Sequence, residues 1–138
     1  MIITIRISGL VEMPGYAQET LFRMRLRKKY SAILMKENEE TKNLLQAVRN
    51  FVAYGKIDAK TMEELISKRA KPLDNKKAKI DAKKIVEIIE KQGIDKAGIK
   101  PFFRLHPPRK GINSKLHYPK GVLGDNKEDI NDLVRRML

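Results

Sequence analysis

The chain opens on an alternating pattern that constrains the first element of its fold. Isoleucine occupies every second position from residue 3 to residue 7, polar residues fill the positions between, and Gly9 follows. Successive side chains of a strand point to opposite faces, so this pattern predicts a β-strand with one buried face. We expect this strand to open a sheet.

The clearest helical pattern comes later in the chain. Asn38 precedes two glutamates, which is a good helix start because the Asn side chain can cap the helix and acids suit its positive end. An apolar stripe follows at helical spacing, formed by Leu44, Leu45, Val48, Phe51 and Val52. The sequence therefore predicts an amphipathic helix from Asn38 through this stripe.

Weaker patterns complete the expected order of elements. Strands are predicted over Ser31 to Met35, Ala53 to Ile57 and Phe102 to Leu105, the last ended by Pro107-Pro108. Helices are predicted over Leu21 to Arg27 with its arginines projecting outward, from a Thr61–Glu64 capping box to Arg69, from an Asp81 cap to a left-handed Gly93, and over Ile130 to Met137. The lysine-rich segment Lys71 to Lys79 is expected to be an exposed connector.

This alternation of short strands and amphipathic helices predicts an α/β (α+β) fold. Two layers are the simplest arrangement, with one face of the sheet covered by helices and the other partly open. A chain of 138 residues is long enough to bury a core of its own.

Charge indicates the kind of partner. The chain has 30 Lys and Arg against 17 Asp and Glu, a net charge of +13. Two long intervals hold no acid, one between Glu19 and Glu37 and one from Lys96 to Gly124. Arginine forks within them suit phosphate oxygens. We therefore expect a polyanionic partner, folded RNA before DNA, because no helix-turn-helix, zinc or zipper pattern is present.

Other functions have little support in the sequence. There is no cysteine for a disulfide or thiolate metal site, and the only histidines, His106 and His117, lie away from acids. Asp125, Glu128, Asp129 and Asp132 cluster, but they are expected to begin a helix rather than hold a metal. With no signal peptide or membrane span expected, we predict a cytosolic soluble domain without catalytic residues, metal or cofactor.

Six motifs in order resemble one family over nearly the whole chain. They are Ile5-Arg6-Ile7-Ser8-Gly9, Arg25-Leu26-Arg27-Lys28-Lys29 after Glu19-Thr20-Leu21, Val52 to Asp58, Glu64 to Arg69, Phe103 to Gly111, and Gly124-Asp125 before Ile130 to Met137. The chain resembles the large-ribosomal-subunit protein family numbered thirty in bacteria and archaea and seven in eukaryotes, in its longer archaeal form. The segments Glu12 to Gln18 and Lys71 to Lys79 depart from the family pattern.

The resemblance implies a ferredoxin-like β-α-β-α-β core over residues 1–58 and an extension over residues 59–138 packed on it as one structural domain. It further implies a structural constituent of the large subunit that binds 23S-type rRNA near the 5S rRNA, among other large-subunit proteins and without a small-molecule substrate. The expected RNA contacts on the matched motifs and the second acid-free interval are Arg25, Arg27, Lys28, Lys29, Arg104, His106, Arg109, Lys110, Lys115 and Lys120.

Two alternatives stay open at the level of sequence. A small acyl-phosphate hydrolase on a similar scaffold would hold one phosphate in an arginine loop beside a water-positioning Asn, and would show turnover. A DNA-compacting protein would bind double-stranded DNA as well as it binds rRNA.

Overall fold

The computed structural model describes residues 1–9, 11, 13–72, 81–112, 116–118 and 120–138. One five-stranded sheet runs through it, in the order β4-β2-β1-β3-β5. The strands are β1 (Ile2–Arg6), β2 (Ser31–Met35), β3 (Val52–Lys56), β4 (Phe102–Arg104) and β5 (Gly124–Asp125). β1 is antiparallel to both β2 and β3, β4 is antiparallel to β2, and β5 is parallel to β3.

Five α-helices join these strands. They are α1 (Gly15–Arg23), α2 (Glu39–Val48), α3 (Ala59–Arg69), α4 (Ala82–Gln92) and α5 (Ile130–Met137), with short 3-10 turns at Ile94–Lys96 and Lys127–Asp129. The order β1-α1-β2-α2-β3 confirms the expected ferredoxin-like α+β core. In the described part of the chain, no helix is long and apolar enough to cross a bilayer.

Helices cover both faces of the sheet. Ile3 and Ile5 of β1 pack in a cluster with apolar residues of α3, α4 and α5. Ile2, on the opposite face, packs with α1 and α2, while Thr4 and Arg6 on that face are also buried. The prediction of one partly open face was therefore wrong, because the helices that follow β3 cover the face that α1 and α2 leave free.

Most predicted elements lie within a residue or two of their observed positions, but both ends of α1 and the end of α2 differ by more, and two helix starts differ in their capping. α1 ends at Arg23, so Arg25 and Arg27 lie in the next loop rather than on a helix. The apolar stripe predicted the helix to continue to Val52, but α2 ends at Val48 and Val52 belongs to β3. α3 begins at Ala59, earlier than the Thr61 cap predicts, because the Asp58 carboxylate accepts from the Thr61 amide at 2.7 Å. Asp81 precedes α4 without a capping hydrogen bond from its side chain.

Other local predictions are confirmed. The Asn38 side chain accepts from the amide of Thr41 and caps α2. Gly93 ends α4 with a φ of 88°. Gly55 permits a close approach, because a Cβ there would lie 2.3 Å from the carbonyl oxygen of Lys127. The connector predicted over Lys71 to Lys79 lies outside the described residues from position 73 onward, whereas Glu12 to Gln18 includes the first turn of α1.

Candidate nucleic-acid interface

Strand register brings the predicted basic segments to one end of the sheet. Arg6, the last residue of β1, pairs with Val52, the first of β3. Ser31, the first residue of β2, pairs with Arg104, the last of β4. β5 begins alongside β3, with Gly124 opposite Ala53. Loops before β2, after β4 and before β5 therefore emerge together, at what we call the basic end.

The basic end displays lysines and arginines from three separate parts of the sequence, together with His106. Its predicted members among the described residues are Arg27, Lys28 and Lys29 before β2, Arg104, His106, Arg109 and Lys110 at and after the end of β4, and Lys120 before β5. All of these side chains are exposed, and none lies within 4.0 Å of a carboxylate of another described residue. Unpaired, solvated cations on converging loops are suited to binding phosphates.

Two of the ten predicted residues stand apart. Arg25 lines a shallow groove with Ile33, Leu34 and Pro101, so it lies beside β2 and the start of β4 rather than at the tips of the loops. Lys115 is outside the described residues. The edge beside Arg104 carries further cations, because Arg104 shares a groove of about 170 Å³ with Lys68, Arg69 and Lys71.

The loop before β2 is fixed by the way α1 ends. The amide of Leu26 donates to the carbonyl of Leu21 at 2.9 Å, and the amide of Arg25 donates to the carbonyl of Phe22 at 3.0 Å. This pair of bonds is a Schellman motif, which requires a left-handed residue at Arg25, whose φ is 65°. The motif turns the chain sharply after α1, which is why Arg25 and Arg27 leave the helix.

A buried arginine of β1 also fixes this loop, through hydrogen bonds to backbone carbonyls. The Arg6 side chain is 2 % exposed, and its Nη1 donates to the carbonyl of Leu26 at 2.7 Å while Nε donates to the carbonyl of Ser8 at 2.9 Å. Burial lowers the pKa of Arg6 from its ordinary value, but guanidinium remains charged at such a site. Arg6 is therefore a structural anchor of the basic loop, not a member of its surface.

The loop after β4 is held by the C-terminus of α5. The amide of His106 donates to the carbonyl of Met137, and the amide of Arg109 donates to the carbonyl of Arg136, both at 3.0 Å. Arg136 returns hydrogen bonds from its guanidinium to the carbonyls of Arg109 and Gly111. Pro107 and Pro108 restrict the loop further. The exposed cations Arg109 and Lys110 thus project from a fixed turn.

The segment before β5 reaches the same end through a histidine. A ring nitrogen of His117 lies 2.8 Å from Oδ1 of Asn50, in the turn between α2 and β3. This contact ties the chain near Lys120 to the basic end. It also gives His117 a structural role.

The opposite end of the sheet carries side chains of both charges. Glu37 follows β2 and lies 3.8 Å from Lys42 and 3.7 Å from Lys56. A cleft of about 390 Å³ there is lined by Glu37, Tyr54, Asp125 and other residues of both charges. Burial, with the nearby Asp125, raises the pKa of Tyr54. Among the described residues, no group of three or more His, Cys, Asp or Glu side chains could hold a metal ion.

Sequence reasoning missed several residues of this interface. Arg6 gave no signal, because an arginine at an inward strand position is indistinguishable from one on an open face. Arg136 lies within the predicted helix Ile130 to Met137, but its contact with the basic turn spans 27 positions and leaves no local signal. Lys68 and Arg69 were included only as parts of a predicted helix.

Comparison with known proteins places this geometry in context. No protein-family model matches the chain. Large ribosomal subunit protein uL30 of Archaeoglobus fulgidus is 37% identical, with 99% of each chain covered. The uL30 proteins of Cenarchaeum symbiosum and Aeropyrum pernix are 36% and 33% identical, covering 99% and 97% of this chain and 97% and 96% of their own. With such identity over almost the full length of each relative, the chain belongs to the archaeal form of the uL30 family of large ribosomal subunit proteins.

Proposed function

We propose that this chain, a structural constituent of the large ribosomal subunit, docks on 23S-type rRNA near the 5S rRNA through its basic end. The observation that carries the proposal is the convergence of three cationic loops, distant in sequence, at one end of one sheet. The proposed contacts are Arg25, Arg27, Lys28, Lys29, Arg104, His106, Arg109, Lys110, Lys115 and Lys120.

Electrostatics would supply most of the affinity. Each phosphate that a lysine or arginine neutralises releases condensed counterions, which steepens the dependence of log K on log salt by somewhat less than about one unit per contact. The Schellman turn at Arg25 and the bonds between Arg109 and Arg136 hold the cations before RNA arrives. Less conformational entropy is then lost on binding.

The opposite end suits different neighbours. The cleft around Glu37 and Asp125 is lined by three acids and three lysines, so it lacks the excess positive charge of the basic end and fits contact with solvent or with other large-subunit proteins. On this proposal the chain works in cytoplasmic ribosomes, without a membrane surface or a small-molecule substrate. The uL30 relatives are structural proteins and not enzymes, and they give no support to an acyl-phosphate hydrolase or a DNA-compacting protein.

Charge reversal at the basic end tests the proposal. Arg109→Glu should weaken binding to the 23S rRNA of Archaeoglobus fulgidus by about tenfold or more at moderate salt and make the salt dependence shallower. Lys60→Glu makes the same charge change at the exposed start of α3, near the opposite end, and should have little effect. Equal losses for both variants would show attraction by net charge alone and reject the assigned surface.

Two further measurements address the partner. Hydroxyl-radical footprinting of reconstituted large subunits should protect 23S rRNA close to 5S rRNA, and Arg109→Glu should remove part of that protection. Double-stranded DNA should compete poorly with rRNA at equal salt. Equal competition by DNA would favour compaction of nucleic acid without specificity.

A further inference from the structure

We infer that Phe22 and Arg27 together form a stacking site for one unpaired nucleobase of the rRNA. The inference rests on the proposed function and adds to it a contact with a base, where the charged loops contact phosphates. The juxtaposition that carries it is an exposed phenylalanine ring under a guanidinium, in a loop whose other cations have no ion-pair partner among the described residues.

Phe22 lies on the outer side of α1. The buried face of this helix is formed by Ala17 and Leu21, whereas Phe22 is 57% exposed. A single exposed apolar residue is ordinary on a protein surface and means little alone. Here, however, the Cζ of Arg27 lies 4.1 Å from the centroid of the Phe22 ring, which is a close cation–π contact.

The geometry of the pair is fixed by the backbone beneath it. The carbonyl of Phe22 accepts the amide of Arg25 in the Schellman turn, and Leu26, packed in the core with Leu21, directly precedes Arg27. The carbonyl of Leu26 is bonded by the buried Arg6. Ring and guanidinium are therefore presented by anchored residues on both sides, which reduces the entropy lost when a ligand packs against them.

The surrounding charge selects the occupant. Arg25, Lys28 and Lys29 lie within two residues of Arg27 in the chain and have no ion-pair partners among the described residues, whereas Arg23 is bound to Glu19 at 2.6 Å. An apolar protein surface laid on Phe22 would have to desolvate these cations without compensation. A nucleotide instead offers a flat ring to the pair and a phosphate to the neighbouring cations, and unstacked RNA bases commonly pack on Phe rings and Arg planes.

Substitutions that change the ring of Phe22 or the guanidinium of Arg27 one at a time test the inference. Phe22→Leu should weaken binding to the 23S rRNA of Archaeoglobus fulgidus by roughly tenfold, since base–aromatic stacking is worth about that much. The slope of log K against log salt should not change, because no phosphate contact is lost. Phe22→Trp should retain affinity. Arg27→Lys keeps the charge but loses the planar group, and should weaken binding at an unchanged slope.

A matched control lies on the same helix. Tyr16 is 60% exposed, and no described arginine or lysine lies over its ring, so Tyr16→Leu should leave affinity unchanged. Urea unfolding of each variant checks that the fold is intact, as expected for exposed positions.

The outcomes distinguish this inference from the proposed function. If Arg109→Glu weakens binding and Phe22→Leu does not, stacking is overturned while docking through the basic end survives. If Phe22→Leu leaves rRNA affinity unchanged but reduces incorporation into large subunits, the pair contacts a protein and the inference is again wrong. If neither variant affects binding, the proposed function fails as well.

Discussion

Arg109 and Arg136 are joined in both directions: the amide of Arg109 donates to the carbonyl of Arg136, and Nε of Arg136 donates to the carbonyl of Arg109, each at 3.0 Å. The guanidinium of Arg136 also bonds the carbonyl of Gly111. One half-buried arginine at the end of α5 therefore fixes the conformation of the basic turn. Its role is to position the turn from which the exposed cations Arg109 and Lys110 project.

Arg136→Lys should loosen the turn while keeping the charge. A lysine ammonium cannot reproduce the fork that reaches both carbonyls, so the Arg109 and Gly111 amides should exchange with solvent roughly fivefold faster, equivalent to about 1 kcal/mol. Amide hydrogen exchange measures this directly. Arg135→Lys, one position away and 3.8 Å from Glu64, should leave exchange in the turn unchanged. Equal exchange in all three proteins would contradict the positioning role.

Arg25→Gly should raise stability and lower RNA affinity together. The φ of 65° at Arg25 is strained for a side chain with a Cβ, and glycine adopts it freely, so unfolding should require about 0.5–1 kcal/mol more free energy. Affinity for rRNA should fall because one cation is lost. Arg25→Ala removes the same charge but keeps the strain, so it should lose affinity without the gain. Urea unfolding and filter binding distinguish the two variants.

Local chemistry explains which features of the fold were predictable. Strand β2 and the Asn38 cap were read correctly because each depends on residues adjacent in sequence. The two acid-free intervals also identified eight exposed lysines and arginines, with His106 beside them, among the described residues. The end of α1 was missed because its Schellman turn uses Arg25, where glycine would have been the recognisable signal.

Long-range packing explains what was not predictable. Arg6 is buried because α1 and the loop after it pack on β1. The second face of the sheet is buried by α3, α4 and α5, which come much later in the chain. Strand β5 has only two residues and no hydrophobic pattern of its own. The division into a core of residues 1–58 and an extension of residues 59–138 stays a prediction.

Arg6→Met should destabilise the fold despite its similar shape and greater hydrophobicity. The carbonyls of Leu26 and Ser8 would lose a charged donor and remain at least partly buried, which costs about 2 kcal/mol. This cost exceeds the free energy gained because a charge no longer has to be desolvated. Urea unfolding should show a lower midpoint with an unchanged m-value. A midpoint equal to or above that of the parent would mean that the guanidinium bonds contribute no net stability.

Stability should depend on pH through Asp58, the N-cap of α3. Hydrogen bonding by Thr61 holds the pKa of Asp58 below its ordinary value of 3.8. Since the folded pKa lies below the unfolded one, the carboxylate stabilises the fold fully above about pH 5, and this contribution is lost as pH falls through the folded pKa. Asp58→Asn retains a capping oxygen but cannot titrate. Urea unfolding from pH 7 to pH 2 measures the unfolding free energies of the parent and of Asp58→Asn. The parent should lose stability relative to Asp58→Asn only in the acid range, by about 1 kcal/mol or less at this exposed site. Asp58→Ala, which removes the cap itself, should be destabilised by about 1 kcal/mol even at pH 7. A parent and an Asp58→Asn variant with parallel pH profiles would show that the cap carries no charge-dependent stability.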